Sequence, residues 1–314
     1  MAVPKRYSWV STISEFSNNA EIQMAGDSWW EVKKYVQTAV TSGGNWGNTV
    51  FKNLADNSLC FTMAFHAQSY NGVIRWGMMN NVTPKVDVFT DSLDKGFTET
   101  PFSCDTSQYN ITYKWTVFTM SKGVFIHGEY QSHINYAYPV RIYMGRLASL
   151  EPEDPAILND FVGIFTHMPS NVSNSNAATY GEYNVGRGVV RKSRNGTKYE
   201  YYNFTTDAQL TSPGVGGRYY VNPFMVFNPS EGVRGQFDDI YTACFKDASQ
   251  HPDGSILDLG DNKYYVFHVV DQQMPYNGNY IRWYTSSNNV RYCVPCFFGS
   301  NNVMGGQRVI LFKI

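Results

Sequence analysis

Few residues in this chain of 314 have the types and spacing that chemistry requires. Cys293-Val294-Pro295-Cys296 is the most motif-like stretch, since two thiols at this spacing can clamp a metal or cycle a disulfide. A structural zinc needs two further ligands. Cys244 and His268 are the nearest in sequence, and no second Cys-x-x-Cys or paired histidine follows. A redox pair is expected to open a helix, whereas this one lies between a strand-like run and Phe297-Phe298; two small core residues at a strand end is the favoured reading. The six histidines, His66, His127, His133, His167, His251 and His268, never stand three to five residues apart as a helical metal pair does. His127 and His133 flank one loop of a strand meander and can face each other, but hydrogen-bonded loop histidines are the commoner outcome. Asp238-Asp239, with Asp253, Asp258 and Asp261, are the candidate carboxylates for glycoside hydrolysis or for calcium. His251-Pro252-Asp253-Gly254 and Leu259-Gly260-Asp261-Asn262 are equally turn sequences, which favours a structural role. There is no Gly-x-Ser-x-Gly elbow, and Gly214-Val215-Gly216-Gly217 lacks the helix and lysine of a phosphate-binding loop. No catalytic residue, cofactor or metal is assigned, and the chain is read as a non-enzyme.

The aromatic residues are harder to dismiss. Tyrosine (23) and phenylalanine (20) bring the aromatic content to 16%, and tyrosines occur in adjacent pairs such as Tyr201-Tyr202, Tyr219-Tyr220 and Tyr264-Tyr265. Neighbours in a strand point to opposite faces, so each such pair sends one phenol away from the core. Trp and Tyr dominate protein interfaces. The candidate interface residues are therefore Tyr7, Trp9, Tyr201, Tyr202, Tyr219, Tyr220 and Trp283. A neighbouring subunit would bury them, and a sugar ring would stack on them.

The elements that must carry these residues are mostly strands. Apolar residues make up 43% of the chain and charged residues only 16%, with 26 glycines, a mixture suited to strands and turns. A net charge of -1 argues against nucleic acid as the main partner. No run approaches the length of a membrane-spanning helix, and no secretory signal is expected. Five cysteines, an odd number, point to a reducing cytoplasm rather than a disulfide framework. The expected fold is an antiparallel β-sandwich or barrel-like body with one short N-terminal amphipathic helix.

Taken in order, residues 1–27 read as an arm for a neighbouring subunit, or as an edge strand and loop. If they form an arm, trimming residues 1–25 should leave the fold intact and weaken assembly. Ser28 and Glu31 form a capping-box pattern, and Trp29, Val32, Tyr35, Val36, Ala39 and Val40 recur at helical spacing, predicting a helix that ends at Gly43-Gly44. Leu59–Ala67 and Val73–Met79 predict a hairpin across Ser69-Tyr70-Asn71-Gly72. Tyr113–Met120, Val124–Tyr130 and Val140–Met144 predict a three-stranded meander, with Gly123 supplying a positive φ at its first turn. Glu151-Pro152-Glu153-Asp154-Pro155 marks a boundary between a half at 28–150 and a second β-rich half at 151–314, either as two domains or as one continuous domain. The second half carries a hairpin around Arg194-Asn195-Gly196, strands at Ile240–Phe245, Tyr264–Val270, Tyr280–Tyr284 and Val290–Phe298, and a last strand at Arg308–Phe312.

The aromatic hairpin of this meander, its Ser/His/Tyr-rich loop, the Tyr138-Pro139 step and the strand ending Met144-Gly145-Arg146-Leu147 resemble a family of tailed-bacteriophage virion structural proteins. Ser28-Trp29-Trp30-Glu31-Val32, the run Phe61–Met78 and Gly260-Asp261-Asn262-Lys263-Tyr264-Tyr265-Val266-Phe267 fit the same pattern. The resemblance implies a virion subunit of a tail, baseplate or head-tail connection, made and assembled in the host cytoplasm. Its partners would be copies of itself and neighbouring virion proteins, with the N-terminal arm and the Ser170–Ala178 and Ser212–Gly217 loops ordering on assembly. The competing expectation is a carbohydrate- or receptor-binding protein of the tail tip that contacts host-surface glycan through Trp283 or Tyr220.

Overall fold

The computed structural model describes residues 2–35, 45–56, 59–68, 71–78, 98–102, 112–130, 140–149, 162–166, 186–191, 199–205, 220–228, 232–245, 251–267, 283–285, 291–293 and 307–314. The first strands are β1 (Lys5–Thr12), β2 (Trp30–Tyr35), β3 (Asn45–Asn53), β4 (Cys60–Gln68), β5 (Asn71–Met78) and β6 (Thr98–Phe102), with helix α1 (Phe16–Gln23) between β1 and β2. The meander is β7 (Thr112–Thr119), β8 (Gly123–Tyr130) and β9 (Val140–Ser149). Then come β10 (Val162–Thr166), β11 (Gly186–Arg191), β12 (Tyr199–Thr205), β13 (Tyr220–Asn228) and the long β14 (Gly232–Phe245). The series closes with β15 (Ile256–Asp258), β16 (Lys263–Phe267), β17 (Trp283–Thr285), β18 (Arg291–Cys293) and β19 (Gln307–Lys313). For β5, β6, β10 to β13, β17 and β18 the backbone alone is described.

Among the described residues all the pairings are antiparallel, as expected of a sandwich-like β fold. β2 to β6 form a five-stranded sheet in sequence order, and twelve strands form a second sheet in the order β1-β7-β8-β9-β10-β11-β12-β13-β14-β19-β16-β15. That second sheet folds over on itself. β9 pairs with β8 and β10, and its end pairs with β14, Leu147 opposite Phe237. β14 leaves β9 after Phe237 and takes β19 as partner from Ile240 onward. The register against β13 slips at the same place, an irregularity of the kind that bends a strand from one layer into the next.

β7 shows the layering in its burial. Thr112 and Lys114 are exposed, alternating with buried Tyr113 and Trp115, whereas everything from Trp115 to Thr119 is buried. The strand begins covered on one face and ends covered on both. On one face Trp115, Val117, Ile126, Ile142 and Met144 pack with Phe16, Ala20 and Met24 of the α1 segment and with Trp30, Phe51, Phe61 and Met63 of the five-stranded sheet. On the opposite face Phe118, Phe125 and Tyr143 pack against Phe237, Ile240, Phe267, Ile310 and Phe312.

Two expectations about the first 40 residues are corrected. Trp30–Tyr35 is a strand paired with β3, not a helix; residues 36–40 of the expected helix lie outside the described residues. Along β2, Trp30 and Val32 are buried while Glu31 and Lys33 are exposed, so period two wins. The helix lies earlier, at Phe16–Gln23, where Phe16 and Ala20 make one buried stripe that Met24 continues. Its approach uses the other Thr/Ser-x-x-Glu sequence of this region: Oε2 of Glu15 accepts from the Thr12 amide at 3.1 Å and from the Thr12 hydroxyl at 2.9 Å. Residues 5–12 are an edge strand in full register with β7. Trimming residues 1–25 would remove β1 and the whole of α1, with buried Trp9, Phe16, Ala20 and Met24, so that cut is expected to destabilise the fold rather than leave it intact.

Two turn assignments also change. Asn71 and Gly72 lie inside the ladder, opposite Gln68 and Ala67, and so belong to the second strand of the hairpin rather than to its turn. Gly123 has no positive φ; among the described glycines that conformation belongs to Gly26, Gly254 and Gly260. A Cβ at Gly123 would instead meet the Tyr143 hydroxyl and the Asp239 carboxylate, and a Cβ at its ladder partner Gly145 would meet the same tyrosine. The two glycines make room for one aromatic ring.

Candidate interaction surface

The best-organised polar group is Asp27, buried at the end of the α1 segment. Oδ1 accepts from the backbone amides of Trp29 and Trp30, each at 2.8 Å. Oδ2 accepts from the Tyr7 hydroxyl of β1 and from the Thr119 hydroxyl of β7, each at 2.7 Å. One carboxylate thus ties the edge strand, the meander and the start of β2, with both oxygens satisfied as a buried charge requires. Burial, and then the hydrogen bond and charge of Asp27, push the Tyr7 phenol well above the usual tyrosine range.

The turn between β7 and β8 sits beside this junction. The Met120 carbonyl accepts from the Trp30 indole at 2.7 Å, the Ser121 carbonyl from Nδ2 of Asn53 at 2.9 Å, and the Lys122 carbonyl from the Arg146 amide at 3.1 Å. Three successive carbonyls are held by β2, β3 and β9. Asn53 also accepts from the amides of Ala55 and Asp56 through its Oδ1, and Arg146 pairs with Asp56. These contacts fix the five-stranded sheet to the meander.

At the opposite face, β1 reaches the outer layer through Arg6. Its guanidinium lies 5.5 Å from the Phe118 ring centroid and 5.4 Å from that of Phe267, and pairs with Asp253 at 2.5 Å. Burial works against that charge, but hydrogen bonds and charge from Asp253 and Tyr265 outweigh it and hold the Arg6 pKa up. Asp253 is presented by the turn Pro252–Ser255, whose Ser255 amide donates to the Pro252 carbonyl at 2.9 Å with Gly254 at φ 84°.

The acids singled out in the sequence do not gather. Asp239 is buried and accepts from the Tyr143 hydroxyl at the bend of β14; the Asp238 side chain lies outside the described residues. Asp258 faces Lys263 at 2.8 Å and accepts from the Gly260 amide, which lowers its pKa. Asp261 is exposed in the same turn, where the Leu259 amide donates to the Asn262 carbonyl. Among the described residues no three His, Cys, Asp or Glu side chains are placed to hold a metal. His127 is buried, its ring stacked on Phe125 and edge-on to Phe267. Cys293 lies in β18 opposite Trp283 of β17; Cys296, His133, His167 and His268 lie outside the described residues.

The candidate interface aromatics divide. Trp9 is only 7% exposed and packs on Phe16 in the core, so its ring is enclosed within the subunit. Tyr7 is half-buried with its hydroxyl on Asp27. Tyr201 and Tyr202 pair with Val189 and Gly188 in the ladder, and Tyr220 opens β13 opposite Cys244. Tyr219 and the loops Ser170–Ala178 and Ser212–Gly217 lie outside the described residues. Sequence reasoning missed Asp27, Arg6 and Tyr143. The one local cue was the Asp-Ser-Trp-Trp order, an Asx-type turn feeding a strand.

Among the described residues, β1 is the longest strand at an end of the twelve-stranded order and has a pairing partner, β7, on one side. β1 and β15 are the two ends of the twelve-stranded order, and the Arg6–Asp253 pair joins β1 to the turn before β15. Among the described residues no helix is long and apolar enough to cross a membrane. Comparison of the sequence with protein-family models gives no match, and comparison with curated proteins gives none either.

Proposed function

We propose that the chain is a structural, non-catalytic subunit of a tailed-phage virion, of the tail, baseplate or head-tail connection, that works by assembling with copies of itself and with neighbouring virion proteins. The resemblance of its meander to such proteins suggests the virion role. The observation that best supports an assembling part is the edge strand β1, eight residues long and locked in place by Trp9, Asp27 and Arg6. A rigid, open edge is a template for another chain.

The test is the mass of the purified full chain by light scattering, with electron microscopy of the same samples, repeated with host-surface glycans. A discrete oligomer, ring or tube is expected. A protein that stays monomeric and binds glycan would instead make it a receptor-binding component of the tail tip.

A further inference from the structure

The two ends of the twelve-stranded sheet are built differently. β15 has three residues and is closed on both sides by turns, at Gly254 and Gly260, with Asp258 held by Lys263. Short strands, turns and charges are how proteins blunt a sheet edge. β1 has eight residues in unbroken register with β7.

Among the described residues no strand pairs with the side of β1 that faces away from β7. The Thr12 amide donates to Glu15 Oε2 at 3.1 Å, and its carbonyl accepts from the Glu15 amide at 3.3 Å, so the polar backbone of Thr12 faces away from β7. In an antiparallel pair each residue sends both backbone groups to one side, and the side alternates along the strand. Val10, Ser8 and Arg6 therefore present their amides and carbonyls outward, while Trp9 and Tyr7 bond to β7. The Ser8 and Val10 side chains are exposed, Val10 by 58%. The cation of Arg6 is drawn down over Phe118 and Phe267 onto Asp253 and so leaves the edge clear.

We propose that β1 is completed by β1 of a second copy, antiparallel across a twofold axis at Ser8, an inference that gives the proposed assembly its contact and rests on that reading. This register pairs Ser8 with Ser8 and Arg6 with Val10 of the second copy, using every outward residue that Glu15 does not occupy. Charge selects the orientation. A parallel arrangement sets Lys5 and Arg6 beside their own copies, and like charges directly opposite oppose pairing. The antiparallel one sets Lys5 opposite Ser11 of the second copy, close to the Glu15 carboxylate held at Thr12. Pro4 at one end and the capped Thr12 at the other limit the contact to this strand.

The experiment is sedimentation of the full chain over a wide concentration range, comparing wild type with Ser8→Pro, Ser8→Lys and the control Ser8→Ala. Proline at position 8 removes an outward amide and no bond to β7; lysine there puts two cations face to face on the axis. Both should weaken self-association by about tenfold or more, Ser8→Pro by the loss of a pair of backbone hydrogen bonds and Ser8→Lys by like-charge repulsion, with Ser8→Ala unchanged. If Ser8→Pro unfolds in a thermal melt, Ser8→Lys carries the comparison, since it alters only an exposed side chain. Ser8→Cys should also cross-link on mild oxidation, because a hydrogen-bonded antiparallel pair brings Cα atoms to about 5.5 Å, within disulfide reach. An oligomer that neither variant weakens overturns the strand contact and leaves the assembly reading standing. A chain that stays monomeric at every concentration overturns both.

Discussion

The meander β7–β9 meets its neighbours differently on its two faces. Toward α1 and the five-stranded sheet, the apolar packing is threaded by hydrogen bonds that cross between elements: Asp27 to Tyr7 and Thr119, the Trp30 indole to Met120, Asn53 to Ser121. Toward β14, β19 and β16 the join is mostly aromatic, with Phe118 ring to ring with Phe267 and Phe312 at centroid distances of 4.8 and 4.6 Å. Apolar burial is strong but tolerant of sliding, whereas a buried polar group is satisfied in one geometry only. The first face fixes where the five-stranded sheet sits; the second supplies adhesion between two layers of one folded-over sheet, with Arg6–Asp253 closing its rim.

Substitutions on either side should separate the two. The largest loss is expected for Phe118→Ala, about 3–5 kcal/mol for truncating a fully buried phenylalanine, read as a lower urea midpoint. Asp27→Ala should cost about 3 kcal/mol, since the amides of Trp29 and Trp30 and the hydroxyls of Tyr7 and Thr119 lose their acceptor. Amide hydrogen exchange would sharpen the contrast: faster exchange in β2 and β3 is expected for Asp27→Ala, and in β16 and β19 for Phe118→Ala. The reverse pattern would sink the division proposed here.

Next in size is Gly123→Ala, about 1–3 kcal/mol for a methyl forced against Tyr143. In a Tyr143→Phe background, without the hydroxyl it would meet, that loss should shrink, and a double-mutant cycle measures the coupling.

The smallest effect is a pH dependence. The Tyr7 phenol titrates higher in the folded chain than in the unfolded one, so its contribution is intact below about pH 10, the unfolded value, and fades as the pH climbs past it. Urea midpoints from neutral to strongly alkaline pH should fall less steeply for Tyr7→Phe than for wild type. The raised phenol of Tyr264 should leave part of the slope in place.

What the sequence made legible is what local pattern decides. The meander, the hairpins of β4–β5 and β11–β12, and the final strand follow from period-two runs between turn residues. The helix was misplaced because Thr12-x-x-Glu15 and Ser28-x-x-Glu31 carry the same signal sixteen positions apart, and Trp29–Val40 satisfies both periods where Phe16–Met24 shows only a thin stripe. Asp27 leaves the tie standing, since a carboxylate that accepts from the amides two and three residues on would cap a helix equally well; what breaks it is the ladder of Trp30–Tyr35 with β3, which buries Trp30 and Val32 on one face. The polar junctions were invisible for a different reason: Asp27 and Thr119 are 92 residues apart, Arg6 and Asp253 247 apart, and no local spacing encodes such a meeting.

The position of β19 has a consequence for how the protein is made. It lies between β14 and β16, and its Phe312 packs on Phe118 and Phe125. On the ribosome, the meander is finished long before that strand emerges. From Phe125 to Phe312 is 312 − 125 = 187 residues, roughly 10–40 s of synthesis. For that interval an aromatic face waits without its cover, open to chaperones and to the same face on neighbouring nascent chains.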